Sequence, residues 1–387
     1  MIISTAKRLE TVEEYYFSKK LREIRQMKAE GNDVLNIGIG SPDLPPSKQT
    51  IEALTGTSNR ENTHGYQGYM GIPELRMAMS KWYSKVYGVD LNFNNEILPL
   101  MGSKEGIMHI SMAFLNAGDE VLVPNPGYLT YSSVSKLLGA NIVTYDLQET
   151  NDWQPNWEAL EKMDLEKVKI MWTNYPNMPT GADASNALFE RLIDFAHKHK
   201  ILIVNDNPYS LVLNEQPRSI LEIEGAKDVA LELNSLSKSH NMAGWRVGMV
   251  LGKSDYLQAV LKVKSNMDSG MFYGIQQAAV AALQTEKQWL SELNSTYAKR
   301  RDAVWTLAEQ LQCEFSEKSS GLFVWAQLPQ GAKNSEAYID ELLYEHSLFV
   351  APGTVFGPSG EGFIRFSLCV EEARIQEAVQ RVKAGGS

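Results

Sequence analysis

One lysine stands among small hydroxyls in Ser235-Leu236-Ser237-Lys238-Ser239, and an arginine follows in Gly244-Trp245-Arg246-Val247-Gly248. A lysine that forms a Schiff base needs an amine that is unprotonated at neutral pH. A free lysine titrates near ~10.4, so such a residue has to sit in a partly desolvated, cationic neighbourhood. Arg246 supplies that charge. Its planar fork also suits a phosphate, reaching two oxygens through parallel N–H bonds, and the Ser235 hydroxyl can take a third. Together these are the groups that hold an aldehyde cofactor with a phosphate tail. On its own, a serine-rich segment with a lysine reads as a solvated loop, so the reading depends on what the rest of the chain offers.

Four other places carry candidate chemistry. Asp206 closes the apolar run Ile201 to Val204, with Tyr209 three residues on; a carboxylate at a buried strand end is costly unless paired, although a turn or helix-capping aspartate is the plain alternative. Gly102-Ser103-Lys104-Glu105-Gly106-Ile107 follows a short apolar segment and opens a helix, where free N–H groups make an anion site. Tyr128 ends Pro126-Gly127-Tyr128 beside a predicted strand. Arg365 lies in an alternating, strand-like run, where an inward-facing arginine needs an anionic partner.

The elements that must position these groups follow from composition and periodicity. A chain of 387 residues with 43% apolar content suits two globular domains. A formal charge of −10, with no Lys/Arg block, argues against nucleic acid or an anionic membrane as partner. Only Cys313 and Cys369 occur, too few for a disulfide framework and without metal-site spacing, so no metal and a reducing, cytoplasmic setting are expected. The first residues lack a signal-peptide apolar core, and no apolar run reaches the ~20 residues of a membrane span. From about residue 95 to 250, β-branched runs alternate with helical stretches, which predicts βα units on a mostly parallel sheet. Its clearest strands are Glu120–Pro124, Lys169–Thr173, Ile201–Asn205 and Val247–Leu251, each ending beside a polar or Gly/Pro cluster, where open α/β sheets place ligands. Trp289, Leu293, Tyr297, Val304, Leu307 and Leu311 then mark one long amphipathic helix, with Lys299, Arg300 and Arg301 off its stripe. Gly321–Ala326 and Phe363–Leu368 read as strands around another helix, a small α+β domain.

The lysine segment resembles the lysine motif of the class I/II aminotransferases, fold-type I enzymes dependent on pyridoxal 5'-phosphate (PLP). Matching stretches run in family order from Ile37-Gly38-Ile39-Gly40-Ser41-Pro42-Asp43 to Phe363-Ile364-Arg365-Phe366-Ser367, so the resemblance covers nearly the whole chain. It implies an α/β fold: a large domain with a mostly parallel seven-stranded sheet flanked by helices, plus a smaller α+β domain. The division it suggests is 1–47 as N-terminal arm and part of the small domain, 48–285 as PLP-binding domain, and 286–387 as C-terminal small domain. It further implies that Lys238 carries PLP and that Asp206 pairs with the pyridine nitrogen, making the ring an electron sink. Tyr209 would bond the phenolic oxygen and Tyr128 stack on the ring. Ser235, Arg246 and the backbone N–H groups of Ser103 and Lys104 would cup the phosphate. Arg365 would fork onto the substrate carboxylate, with the backbone near Gly40 approaching it. Tyr66, in His64-Gly65-Tyr66-Gln67-Gly68-Tyr69, would reach the phosphate in the partner subunit, implying a homodimer with shared active sites.

One loop departs from the pattern. Before Pro179-Thr180-Gly181 the family has an asparagine that donates to the phenolic oxygen and the bound carboxylate; here stands Met178, which cannot donate, so the contact is missing or Asn177 supplies it.

The function expected is transamination between an L-amino acid and a 2-oxo acid. A PLP-dependent carbon–sulfur β-lyase shares the same residues, and a weakly active PLP-binding protein would follow if Met178 impairs the site. A PLP-sensing regulator is disfavoured, because the first family motif begins by Ile37 and leaves no room for a winged helix. Tyr15, Tyr16 and Phe17 are candidates for an apolar wall beside the substrate side chain, and Lys264–Gly270 resembles relatives acting on diverse amino acids, diaminopimelate among them.

Overall fold

A computed structural model describes residues 3–11 and 16–385. The helix Tyr16–Ala29 leads into the short strand β1 (Leu35–Asn36), and the aliphatic runs that follow form β2 (Ile97–Leu100), β3 (Glu120–Asn125), β4 (Asn141–Asp146), β5 (Val168–Thr173), β6 (Leu202–Asp206), β7 (Ala230–Ser235) and β8 (Gly248–Gly252). These seven make one sheet in the order β2-β8-β7-β6-β5-β3-β4. All its pairings are parallel except those of β8, which runs antiparallel to both β2 and β7.

Every residue of β2, β6, β7 and β8 is buried, as in a sheet covered by helices on both faces. The two-residue alternation of a strand is visible in the packing. Val121, Val123, Ile170, Trp172, Leu202 and Val204 join one apolar cluster with Ile107 and Ile110 of the helix Ser103–Phe114. Their neighbours Leu122, Met171 and Ile203 join another on the opposite face, with Leu188, Leu192 and Phe195 of the helix Asn186–His199. The four predicted strands are thus β3, β5, β6 and β8; β2, β4 and β7 went unpredicted.

In the smaller domain, β9 (Glu314–Phe315), β10 (Phe323–Gln327), β12 (Ala351–Pro352) and β13 (Phe363–Ser367) form an antiparallel sheet in the order β12-β13-β10-β9, while β11 (Leu348–Phe349) pairs in parallel with β1. Ile24, Val34 and Leu35 share a core with residues of the C-terminal part, so the N-terminal helix packs there.

The long helix spans Lys287–Gln310, with Leu293, Tyr297, Val304 and Leu307 buried. Arg300 corrects the expectation, because it is only 3% exposed and lies on the stripe. The spacing 293, 297, 300, 304, 307 keeps one face. Its charge is met by Asp43, to which Arg300 donates through Nη1 at 2.7 Å and Nη2 at 2.8 Å. Among the described residues no helix is long and apolar enough to cross a membrane, and both cysteines are free and buried.

Candidate active site

After β2 at one edge of the sheet, the chain crosses to β3, adds β4 at the opposite edge, then returns to place β5 on the other side of β3. That reversal opens a crevice beyond the carboxyl ends of the strands. It holds a cavity of about 470 Å³, lined by Ser103, Lys104, Tyr128, Asp206, Tyr209, Ser235, Lys238 and Arg246 from the large domain and by Gly40 and Arg365 from the other side. Ten of the expected site residues therefore converge, although they span the chain.

On one side the groups suit an anion. Gly102 (φ 88°, ψ 154°) stands before the helix Ser103–Phe114, in a region that only glycine occupies readily. A β-carbon on Gly248 would lie 2.7 Å from the Ser103 nitrogen. The absence of that carbon lets β8 press against the helix start, whose free N–H groups carry the positive end of the helix dipole. Arg246, left-handed at φ 56°, donates Nη1 to the Ala243 carbonyl at 2.7 Å. Ser237 also lines this region; the sequence reading passed over it, although it directly precedes Lys238.

Asp206, at the end of β6, is 4% exposed. Oδ2 accepts from the Tyr131 hydroxyl at 3.0 Å, whereas Oδ1 is buried without any partner. Burial pushes its pKa up to about 7. Tyr131 stacks flat on Trp172 (4.9 Å, 6°), and Tyr128 meets Tyr131 edge-on at 5.5 Å. Asn174 donates to the Asp206 carbonyl at 2.6 Å and accepts, through Oδ1, from the Met178 N–H at 2.8 Å. Tyr131 and Asn174 are site residues that sequence alone did not single out; both carry commonplace side chains with no local signature.

Lys238 donates to the Gly40 carbonyl at 2.7 Å. Burial draws its pKa below the usual lysine value, helped by the positive charges of Arg365 and Arg246. A β-carbon on Gly40 would lie 2.3 Å from the Phe323 ring, so a side chain there would push that ring aside.

Arg365 is 4% exposed. Its Nη2 donates to the Gly38 carbonyl at 2.7 Å, Nη1 points at the Met178 sulfur at 3.4 Å, and Nε is buried without a partner. No carboxylate among the described residues pairs with it. Aromatic faces surround it instead, with the guanidinium carbon 3.9 Å from the Phe323 centroid and 4.6 Å from that of Phe356. Burial lowers its pKa to about 10.

Other expected residues stay outside this chain's cavity. Tyr66 is 93% exposed. Asn177 is engaged elsewhere: Nδ2 donates to the Asn174 carbonyl, and Oδ1 accepts from the Thr180 hydroxyl at 2.8 Å. Its side chain does not face the cavity, which Met178 lines instead. Of the aromatic wall, Phe17 lines the cavity, Tyr16 does not, and Tyr15 lies outside the described residues. In the segment Lys264–Gly270, the Lys264 ammonium sits on both Asp268 oxygens at 2.8 and 2.7 Å. Glu105, His109 and Asp268 bring potential metal-ligand atoms within 4.8 Å of one another, but that ammonium already occupies the Asp268 carboxylate.

The cavity fits PLP. An unpartnered buried carboxylate oxygen suits a pyridinium N–H, a cup of N–H groups, hydroxyls and a guanidinium suits a phosphate, and a lysine of lowered pKa suits an aldehyde.

The family model for aminotransferase class I and II matches residues 32–382. The LL-diaminopimelate aminotransferase of Dehalococcoides mccartyi (strain ATCC BAA-2100) is 40% identical over 379 residues, covering 97% of each chain. That of Aquifex aeolicus is 36% identical over 378 residues, again covering 97% of each. Among solved structures, substrate-bound BacF from Bacillus subtilis superposes with a TM-score of 0.94 at 33% identity, covering 99% of this chain and 98% of that one. A Thermus thermophilus aspartate aminotransferase mutant, at 23% identity and a TM-score of 0.92, shares the fold.

Proposed function

Because the chain belongs to the class I and II aminotransferase family, we infer that Lys238 is the lysine that holds PLP and moves protons at the substrate. The protein is a PLP-dependent aminotransferase working by ping-pong exchange, and we take its substrates to be an L-amino acid and a 2-oxo acid. The observation that carries the residue assignment is the meeting, in one cavity, of Lys238, an unpartnered Asp206 oxygen and an Arg365 without a carboxylate.

When bound, PLP supplies an aldehyde that condenses with amines and a ring that draws electrons from the substrate Cα–H bond. The chain's own residues do the rest. Asp206, ionised opposite a ring N–H, holds that nitrogen protonated. Ser235, Ser237, Arg246 and the N–H groups of Ser103 and Lys104 fix the phosphate, and Tyr128 covers the ring. Arg365 forks onto the substrate carboxylate, which places the Cα–H bond near Lys238. A lowered pKa leaves a larger neutral fraction of Lys238 at pH 7, so it can take the proton from Cα and deliver it to the cofactor carbon. Tyr66 serves the partner subunit in a homodimer with shared sites. The domain division remains 1–47, 48–285 and 286–387, and two free cysteines fit a cytoplasmic setting.

The 36–40% identity to LL-diaminopimelate aminotransferases supports LL-diaminopimelate as one candidate donor. Borohydride treatment before denaturation should leave the cofactor attached to the wild type at Lys238 and detached in Lys238→Ala; attachment at another lysine would overturn the assignment. Mixing the holoenzyme with amino acids without an acceptor should convert the cofactor to its amine form, whereas release of pyruvate and ammonia would favour elimination.

A further inference from the structure

Charge in the cavity is divided unevenly. Five charged side chains line it, Lys104, Asp206, Lys238, Arg246 and Arg365. PLP engages Asp206, Lys238 and Arg246, and Lys104 begins the helix on the phosphate side. Arg365 is left for the substrate's α-carboxylate. Phe17, Phe323, Phe356 and the Met178 sulfur lie against the arginine, and Val355 and Ser18 line the same cavity. Met178 is 6% exposed and belongs to the same apolar core as Phe323, Val355 and Phe356. Its sulfur is a weak acceptor that holds Arg365 without neutralising it, and it offers a substrate side chain only an apolar surface. Of the polar neighbours, Asn177 is turned to Thr180 and Asn174, and the Asn174 amide is held by the Asp206 carbonyl and the Met178 N–H.

To a second charged terminus on the substrate, the described residues on this side offer only the Ser18 hydroxyl, whereas a desolvated charge needs an ionic partner. Apolar groups would gain from the same surface. We propose that the preferred amino acid carries an apolar or aromatic side chain, received by Phe17, Val355 and Phe356 with Met178 as the selecting residue, rather than a second charged end as in diaminopimelate. This rests on the transaminase reading and narrows it.

The test uses PLP-loaded enzyme. Calorimetric titration with 3-phenylpropanoate, 4-methylpentanoate and heptanedioate compares carboxylates that cannot react. Mixing with L-phenylalanine, L-leucine and LL-diaminopimelate, with no acceptor, follows conversion of the cofactor by absorbance. The apolar compounds are expected to bind and to convert at least tenfold better. Met178→Asn should shrink that ratio at least threefold, and Met178→Leu, which keeps the volume and removes the sulfur, should preserve it. Equal or better performance by heptanedioate and LL-diaminopimelate overturns the proposal, as does the absence of binding by any monocarboxylate. An unchanged ratio in a folded Met178→Asn protein removes Met178 as selector. If no amino acid converts the cofactor while the monocarboxylates still bind preferentially, transamination fails and the apolar pocket stands.

Discussion

A β-carbon on Gly102 would lie 2.1 Å from Nη2 of Arg246. The glycine and the guanidinium therefore share one volume, and a side chain at residue 102 would push the tip of Arg246 aside. Gly102→Ala should displace Arg246 and strain a backbone whose glycine-only conformation costs other residues ~1–3 kcal/mol. PLP affinity, measured by fluorescence titration of cofactor-free protein, should fall at least tenfold, about 1.4 kcal/mol. Gly244→Ala, where a β-carbon meets nothing within 4 Å, is the control. Undiminished affinity in Gly102→Ala would remove Arg246 from the cup.

Arg365→Lys should weaken binding of 2-oxo acids by ~1.5–3 kcal/mol, the range for a hydrogen bond to a charged group, because an ammonium cannot reproduce a bidentate fork. Amines without a carboxylate should bind as before. Equal losses for both classes in equilibrium titrations would mean that Arg365 is structural.

Asp206 should leave a pH signature in cofactor-free protein. Its carboxyl titrates near 7 when folded, chiefly through burial, against ~3.9 when unfolded. The folded state thus holds the proton more tightly, and the associated stability, complete below pH ~4, is lost as pH rises through 7. Melting temperatures of wild type should decline relative to Asp206→Asn across that window. PLP should abolish the decline, since a ring N–H favours the ionised carboxylate. Parallel curves for the two cofactor-free proteins would contradict this.

Tyr66 is 93% exposed in the single chain, which accords with a role in a partner's site. Mixing Tyr66→Phe and Lys238→Ala subunits should then regenerate sites lacking both defects, about a quarter of all sites on random pairing into twofold dimers, and raise activity above either parent. Activity that stays at the parental level after verified subunit exchange would rule out the crossing.

What the sequence determined on its own were groups with a local signature. Lys238 stands among serines, Asp206 ends an aliphatic run, and Ser103 follows a glycine at a helix start; strand alternation and helix periodicity act over a few residues, so they can be read without a fold. Tyr131 and Asn174 have no such mark, and Ser237 shares the serine run with nothing local to set it apart from its neighbours. They line the cavity because the order of β3, β5, β6 and β7 brings the ends of these strands to one crevice. The two arginines show the limit most clearly. Arg300 and Arg365 both lie on apolar faces, and patterning misplaced the first. Tertiary structure brings Asp43 to Arg300 across 257 residues and brings Arg365 only aromatic rings, a carbonyl and a thioether. It also settles which of Asn177 and Met178 faces the cavity. Charge pairing in a desolvated interior depends on which distant segments meet, and packing decides that where local propensity has no influence.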